Sequence, residues 1–236
     1  PDLLTLRAAR LVMNARLIVH DGLVDPAILA FARPGTRLIS VAKSRSRHTM
    51  AQDEINALLV REALAGTEVI RLKGGDPFIF GRGGEELEAV RAAGVPVFVT
   101  PGVTAAIGCA AAAGLPLTHR DAAQALTFVT GHAKGEAEPD LDWAALAALG
   151  HTLVVYMGVT KAAAIAANLI RNGRSRSTPV AVIENGTRAD QKILKGNLSE
   201  LGRLVSEGAV EGPAILVIGD VAAKANGVLL SEIEPA

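Results

Sequence analysis

Apolar, β-branched runs alternate with helical patterns along the whole chain, and this alternation constrains the fold more than any other feature. Strand-like runs fall at residues 16–20, 37–41, 68–72, 95–99, 125–129, 152–156, 180–183 and 214–218. Helical segments lie among them at 4–13, 51–65, 85–93, 104–113, 161–172 and 198–207. Within 51–65, Ile55, Leu58, Leu59 and Ala63 share one helical face. Strands separated by helices predict parallel sheets covered by helices. The expected class is α/β, with two α/β domains of mainly parallel sheets enclosing a cleft. Pro116 disfavours helix in the residue before it, which places the expected boundary between domains at 1–113 and 119–236. An α/β domain usually opens with a strand, whereas this sequence opens with a loop and a helix. Its first strand and following loop are therefore expected to lie outside it.

Polar and Gly-rich residues gather after the strands, as in His20-Asp21-Gly22, Thr130-Gly131-His132, Met157-Gly158 and Glu184-Asn185-Gly186. Open α/β sheets bind their ligands at that edge. The densest loop is Arg71-Leu72-Lys73-Gly74-Gly75-Asp76-Pro77-Phe78-Ile79-Phe80-Gly81-Arg82-Gly83-Gly84-Glu85-Glu86, with five glycines. Gly74 and Gly75 allow a ligand to approach the backbone, or a positive φ. Asp76 offers an acceptor beside them, and Arg82 a planar cationic fork suited to a carboxylate.

Other chemistries find no support. The histidines are scattered, with no metal-ligand spacing, and neither a nucleophile elbow nor a P-loop is present. A dinucleotide fingerprint would have to lie in the missing first loop. Aromatics are 3% of residues and formal net charge is +0, so neither base stacking nor a basic field points to nucleic acid. No apolar run has the length of a membrane span and no signal peptide is visible. Cys109, the single cysteine, reads as a small buried hydrophobe and fits a reducing compartment, so a cytoplasmic location is expected. Against this neutral background Lys43, Arg45, Arg47, Lys73, Arg82 and Arg120 fall on loops of the ligand-binding edge, which points to an anionic substrate.

The Arg71–Glu86 run resembles the signature of the uroporphyrinogen-III C-methyltransferases, within the tetrapyrrole methylases. Residues 100–106, 114–120, 156–158 and 184–187 with Gln191 agree with it. The resemblance implies the tetrapyrrole methylase fold, that of the class III methyltransferases. It also implies transfer of methyl groups from S-adenosylmethionine to C2 and C7 of uroporphyrinogen III, giving precorrin-2 through precorrin-1 for cobalamin, siroheme or haem d1. On this resemblance Gly74, Gly75, Asp76, Ile79, Thr104, Ala105, Met157, Gly186 and Ala214 contact the cofactor. Asp21 and Lys43 match the proton acceptor and donor. Arg82, Glu85 and Arg120, with His132, face the macrocycle, and Arg45 and Arg47 add cations for its carboxylates. A homodimer is implied as well. The family's first Gly-rich loop would precede this sequence. At 236 residues the chain is expected to lack the dehydrogenase–chelatase module fused in some siroheme synthases, leaving precorrin-2 as its product.

The residues suit that chemistry. The methyl donor is an activated electrophile, so a dry, backbone-lined pocket helps more than a nucleophile would. A proton must then leave the macrocycle, which requires a base within reach. Asp21 is the natural carboxylate and Arg82 its rival, although arginine keeps its proton. A sister methylase acting on a later precorrin and a non-catalytic tetrapyrrole carrier are the competing readings.

Overall fold

A computed structural model describes residues 1–42, 50–132 and 139–226, with the backbone of 228–229. The chain divides into two compact units between Thr104 and Ala105.

The first unit holds α1 (Leu6–Asn14), β1 (Leu17–His20), α2 (Pro26–Leu29), β2 (Arg37–Ser40), α3 (Gln52–Leu64), β3 (Val69–Leu72) and α4 (Gly83–Ala92). Its sheet runs β2-β1-β3, parallel throughout. The central strand β1 buries Leu17, Ile18 and Val19 completely. Leu17 and Val19 pack with Ile55, Leu58 and Leu59 of α3 and Val90 of α4. Ile18 packs on the opposite face with Val12 of α1, Val24 and Leu72. A strand covered on both faces needs apolar residues at consecutive positions, which explains the unbroken run. Each such side chain contributes about 1.5–3 kcal/mol on burial. Helix starts follow their chemistry: Thr5 Oγ1 accepts the Ala8 N–H at 3.2 Å, and Asp25, followed by Pro26, accepts that of Ala27 at 2.8 Å.

One expected strand is absent. Residues 95–99 enter no ladder among the described residues. Val95 and Val97 pack on the first unit's core while Phe98 is exposed, so the run alternates as a strand would. Among the described residues no strand lies beside it to supply backbone partners.

The second unit holds α5 (Ala105–Ala112), β4 (Leu126–Thr130), α6 (Trp143–Ala148), β5 (Thr152–Tyr156), α7 (Ala162–Arg171), β6 (Pro179–Glu184), β7 (Lys192–Asn197), α8 (Leu201–Glu207), β8 (Ala214–Ile218) and β9 (Val228–Leu229). Its sheet order is β4-β5-β8-β6-β7-β9. β8 lies antiparallel between β5 and β6. Leu153, Val155, Val182, Leu216 and Ile218 face Ile165, Leu169, Leu201 and Leu204 of α7 and α8. The alternate residues Val154, Tyr156, Ala181, Ile183, Ile215 and Val217 face Ala106, Cys109 and Ala110 of α5. Parallel pairing accounts for β1–β2, β1–β3, β4–β5 and β7–β9, whereas β5–β8, β6–β7 and β6–β8 are antiparallel. The mainly parallel character therefore holds throughout the first sheet, and the second is mixed. The expected boundary at 113 also shifts. α5 groups with the second unit because its alanines and Cys109 are buried in that unit's core.

Candidate active site

Polar side chains in the first unit converge where β1 and β3 end. Arg71, in register with Val19 across the β1–β3 ladder, sends its guanidinium over the strand ends. Its Nη1 donates to Val19 O at 3.3 Å and Leu72 O at 3.1 Å. Its Nη2 donates to Asp21 Oδ1, and its Nε to Glu86 Oε1 at 3.1 Å. Lys73 Nζ lies 2.9 Å from Glu86 Oε1 and 3.9 Å from Asp21 Oδ2. Gln52 Nε2 donates to the same Glu86 oxygen at 3.3 Å. The side chains of Lys73 and Glu86 are only 7% and 6% exposed, and that of Arg71 13%, whereas Asp21 keeps 29%. Two cations and two carboxylates thus balance, with Asp21 at the open end.

Two expectations change here. Lys73, read as a cation for an anionic substrate, is buried and spent on Glu86. Glu86 and Arg71, which sequence reasoning left without a role in the site, tie its parts together. Arg71 and Lys73 stand two residues apart at the end of a strand, so their side chains leave the same face; that spacing is the one local hint of a shared partner.

The Gly-rich loop after β3 is tied down by its own backbone. Gly75 adopts φ 84°, a conformation natural to glycine. Asp76 Oδ1 accepts the Phe78 N–H at 2.9 Å and Oδ2 that of Gly102 at 3.0 Å. A Cβ on Gly102 would overlap Gly75 O, so the two backbones touch with no side chain between them. Ile79 and its neighbours Phe78 and Phe80 are partly exposed at the loop's tip. Arg82 closes the loop at φ 55° and caps α4, a strained posture for an arginine. Its Nε and Nη2 fork onto Glu85 at 2.8 and 2.7 Å. That bond raises the Arg82 pKa above the ordinary arginine value. Thr104 is buried at the end of the unit.

In the second unit the cofactor candidates gather at one edge of the sheet. Tyr156 pairs with Ile215, and Glu184 with Ala214, so Met157, Ala214 and Gly186 follow or begin adjacent strand ends. Met157 takes φ 53°, and Asn185 and Thr187 take 49° and 70° on either side of Gly186. Positive φ in three such residues is costly backbone concentrated at one edge. The loop is braced: Thr187 N donates to Gln191 Oε1 at 2.7 Å, and Glu184 Oε1 accepts the N–H groups of Glu211 and Gly212 at 2.8 and 2.6 Å. Gly186 rests against Cys109, and the next helical residue after Ala105, Ala106, donates its N–H to Tyr156 Oη at 3.0 Å. Burial pushes the Cys109 thiol up to about 11. His132 belongs to this edge too, because Gly131 N donates to Tyr156 O at 2.7 Å. Arg120 is exposed in the turn bridged by His119 and Ala123. Leu117, just before it, accepts from Thr152 Oγ1 at the opposite end of β5 from Met157. Lys43, Arg45 and Arg47 lie outside the described residues.

Glycine-rich loops and residues at positive φ thus lie at the strand ends of this α/β chain. The chain belongs to the tetrapyrrole (corrin/porphyrin) methylases, whose family pattern matches residues 1–202. It is 52% identical over 221 residues to the siroheme synthase of Gluconacetobacter diazotrophicus, covering 94% of this chain and 47% of that protein. The siroheme synthase of Methylococcus capsulatus gives the same identity and coverage. The chain thus spans about half the length of the curated relatives it matches. Among solved structures, the uroporphyrin-III C-methyl transferase from Thermus thermophilus, complexed with S-adenyl homocysteine, superposes with a TM-score of 0.80 at 41% identity, over 94% of both chains. A cobalt precorrin-4 methyltransferase reaches 0.82 at 25% identity, covering 94% of this chain and 91% of that one.

Proposed function

We propose that the chain carries out S-adenosylmethionine-dependent C-methylation of uroporphyrinogen III at C2 and C7, giving precorrin-2 through precorrin-1. The observation that carries this reading is the half-open Asp21 carboxylate beside a glycine-walled loop, in a chain 41% identical to a solved uroporphyrin-III C-methyl transferase. The likeness to a precorrin-4 enzyme is as close in shape but weaker in sequence, which favours uroporphyrinogen over a later precorrin.

The residues present fit the cofactor. Gly75 and Met157 hold positive φ where the loops leave β3 and β5, at the strand ends where α/β sheets bind their ligands. Gly74, Gly75, Asp76, Ile79, Thr104, Ala105, Met157, Gly186 and Ala214 are the residues that would hold it. When bound, S-adenosylmethionine supplies the activated methyl group. The chain's own part is to keep water out, to hold the macrocycle's carboxylates and to move a proton. Asp21 accepts the proton that leaves the methylated macrocycle; its O–H bond forms as the departing bond's electrons return to the ring system. Lys43 is the corresponding donor. Arg82 stays protonated because Glu85 raises its pKa, so its role is to orient carboxylates rather than to remove a proton. Glu85, Arg120, His132, Arg45 and Arg47 complete the proposed substrate contacts.

Incubation with methyl-labelled S-adenosylmethionine and uroporphyrinogen III tests the reading. Label in a dimethylated product is expected. Binding of both ligands without transfer would identify a carrier instead, and preference for a later precorrin would identify a sister enzyme. A cytoplasmic homodimer belongs to the same proposal; sedimentation showing only single chains at micromolar concentration would refute the dimer. Among the described residues no helix is long and apolar enough to cross a membrane.

A further inference from the structure

We infer that Arg71, braced by Glu86, is the positioning residue for the Asp21 carboxylate, setting the direction in which it can accept a proton. The inference rests on the functional reading above, in which Asp21 is the proton acceptor.

Asp21 stands in a loop, followed by Gly22, and nothing in the local backbone would keep its side chain in one rotamer. A general base must present its oxygen within hydrogen-bond reach of one particular proton. Arg71 supplies that constraint. All three of its nitrogens are engaged: Nη1 on the carbonyls of Val19 and Leu72, Nε on Glu86, and Nη2 on Asp21. The guanidinium plane is therefore referenced to the ends of two paired strands, and Asp21 is referenced to that plane. Glu86 acts from behind. Its Oε1 accepts from Arg71, Lys73 and Gln52, two donors at the end of β3 and one from the start of α3. Lys73, 3.9 Å from Asp21 Oδ2, flanks the second oxygen. Burial grades outward through the set, from Glu86 and Lys73 through Arg71 to Asp21, so only the last member faces a ligand. A lysine at 71 would keep the charge but not the fork that joins the two carboxylates.

The rival account is a buried ion network that serves only the fold, and such networks often add little stability. A double-mutant cycle in the intact protein separates the two. Arg71→Met is expected to lower kcat by roughly 10- to 100-fold, part of what a general base contributes. Its KM for uroporphyrinogen III and its affinity for S-adenosylhomocysteine should stay within about 3-fold of wild type. Introduced into Asp21→Asn, the same change should cost less than about 2-fold in kcat, because the group it positions is already disabled. Arg71→Lys should not restore turnover. Glu86→Gln should reproduce the kcat loss in weaker form and carries the test where Arg71→Met fails to fold. Equal kcat losses with and without Asp21 would overturn the inference. So would wild-type kcat in Arg71→Met, or loss of S-adenosylhomocysteine binding in both the Arg71 and Glu86 variants. Wild-type protein that transfers no methyl group would overturn the functional reading itself, and this inference with it.

Discussion

Gly186→Ala is expected to destabilise the second unit, and to do so through Cys109. A Cβ at position 186 would overlap Cys109 Sγ and stand 2.9 Å from its Cβ and 3.2 Å from its Cα. Either the loop after β6 or helix α5 must move. The loop is held by Gln191, whose Nε2 donates to Ala112 O at the end of α5, so the two are not independent. Overpacking of this kind costs about 1–3 kcal/mol, a large part of the 5–15 kcal/mol typical of a domain. Trp143, the one tryptophan, packs on the second unit's core, so its fluorescence during urea unfolding reports that unit. Cys109→Ala alone removes one buried heavy atom and should cost about 1 kcal/mol. In that background Gly186→Ala still meets the Cβ and Cα but no longer the sulfur, and its cost should fall to about half, a coupling on the order of 1 kcal/mol. Strictly additive costs would refute the contact between Gly186 and Cys109. Wild-type stability in Gly186→Ala alone would refute the packing argument outright.

Gly75→Val should abolish S-adenosylhomocysteine binding in calorimetry while the first unit stays folded, because a branched residue at φ 84° rebuilds the loop; unchanged affinity would remove the loop from the site. Arg82→Lys should raise KM for uroporphyrinogen III by roughly 10- to 100-fold, the loss of a charge-assisted bond of about 1.5–3 kcal/mol; a loss in kcat alone would instead place Arg82 in proton transfer. The Cys109 thiol titrates near 11 in the folded protein and near 8.5 in an unfolded chain. The folded state therefore binds the extra proton between those values, and stability should fall as pH rises through that window. Urea unfolding across it should show a flatter alkaline loss in Cys109→Ala; identical slopes would contradict a buried thiol.

Central strands were legible because burial on both faces demands runs such as Leu17–Ile18–Val19, which no helix or loop would need. β7 was not, since Lys192, Lys195 and Gly196 break its apolar pattern and its place depends on pairing with β6. Asp21 and the Gly74–Gly75–Asp76 loop stood out because their chemistry is local: glycine and carboxylate at a strand end. The network around them did not. Arg71 and Glu86 are 15 residues apart and Gln52 lies 34 residues from Glu86, so their meeting depends on where α3 and α4 dock. The same non-locality misled the reading of Lys73, whose charge looks available until Glu86 is placed beside it.

The insertion of β8 between β5 and β6 has a consequence for synthesis of the chain. Ala214–Ile218 is made after β4 to β7, yet it joins the two halves of the sheet. Until those residues leave the ribosome, β5 and β6 each present an unpaired, apolar edge, the kind that recruits foreign strands. The second unit is therefore expected to close late, and a nascent chain stalled near residue 213 should be protease-sensitive and prone to aggregate, while the first unit is already folded.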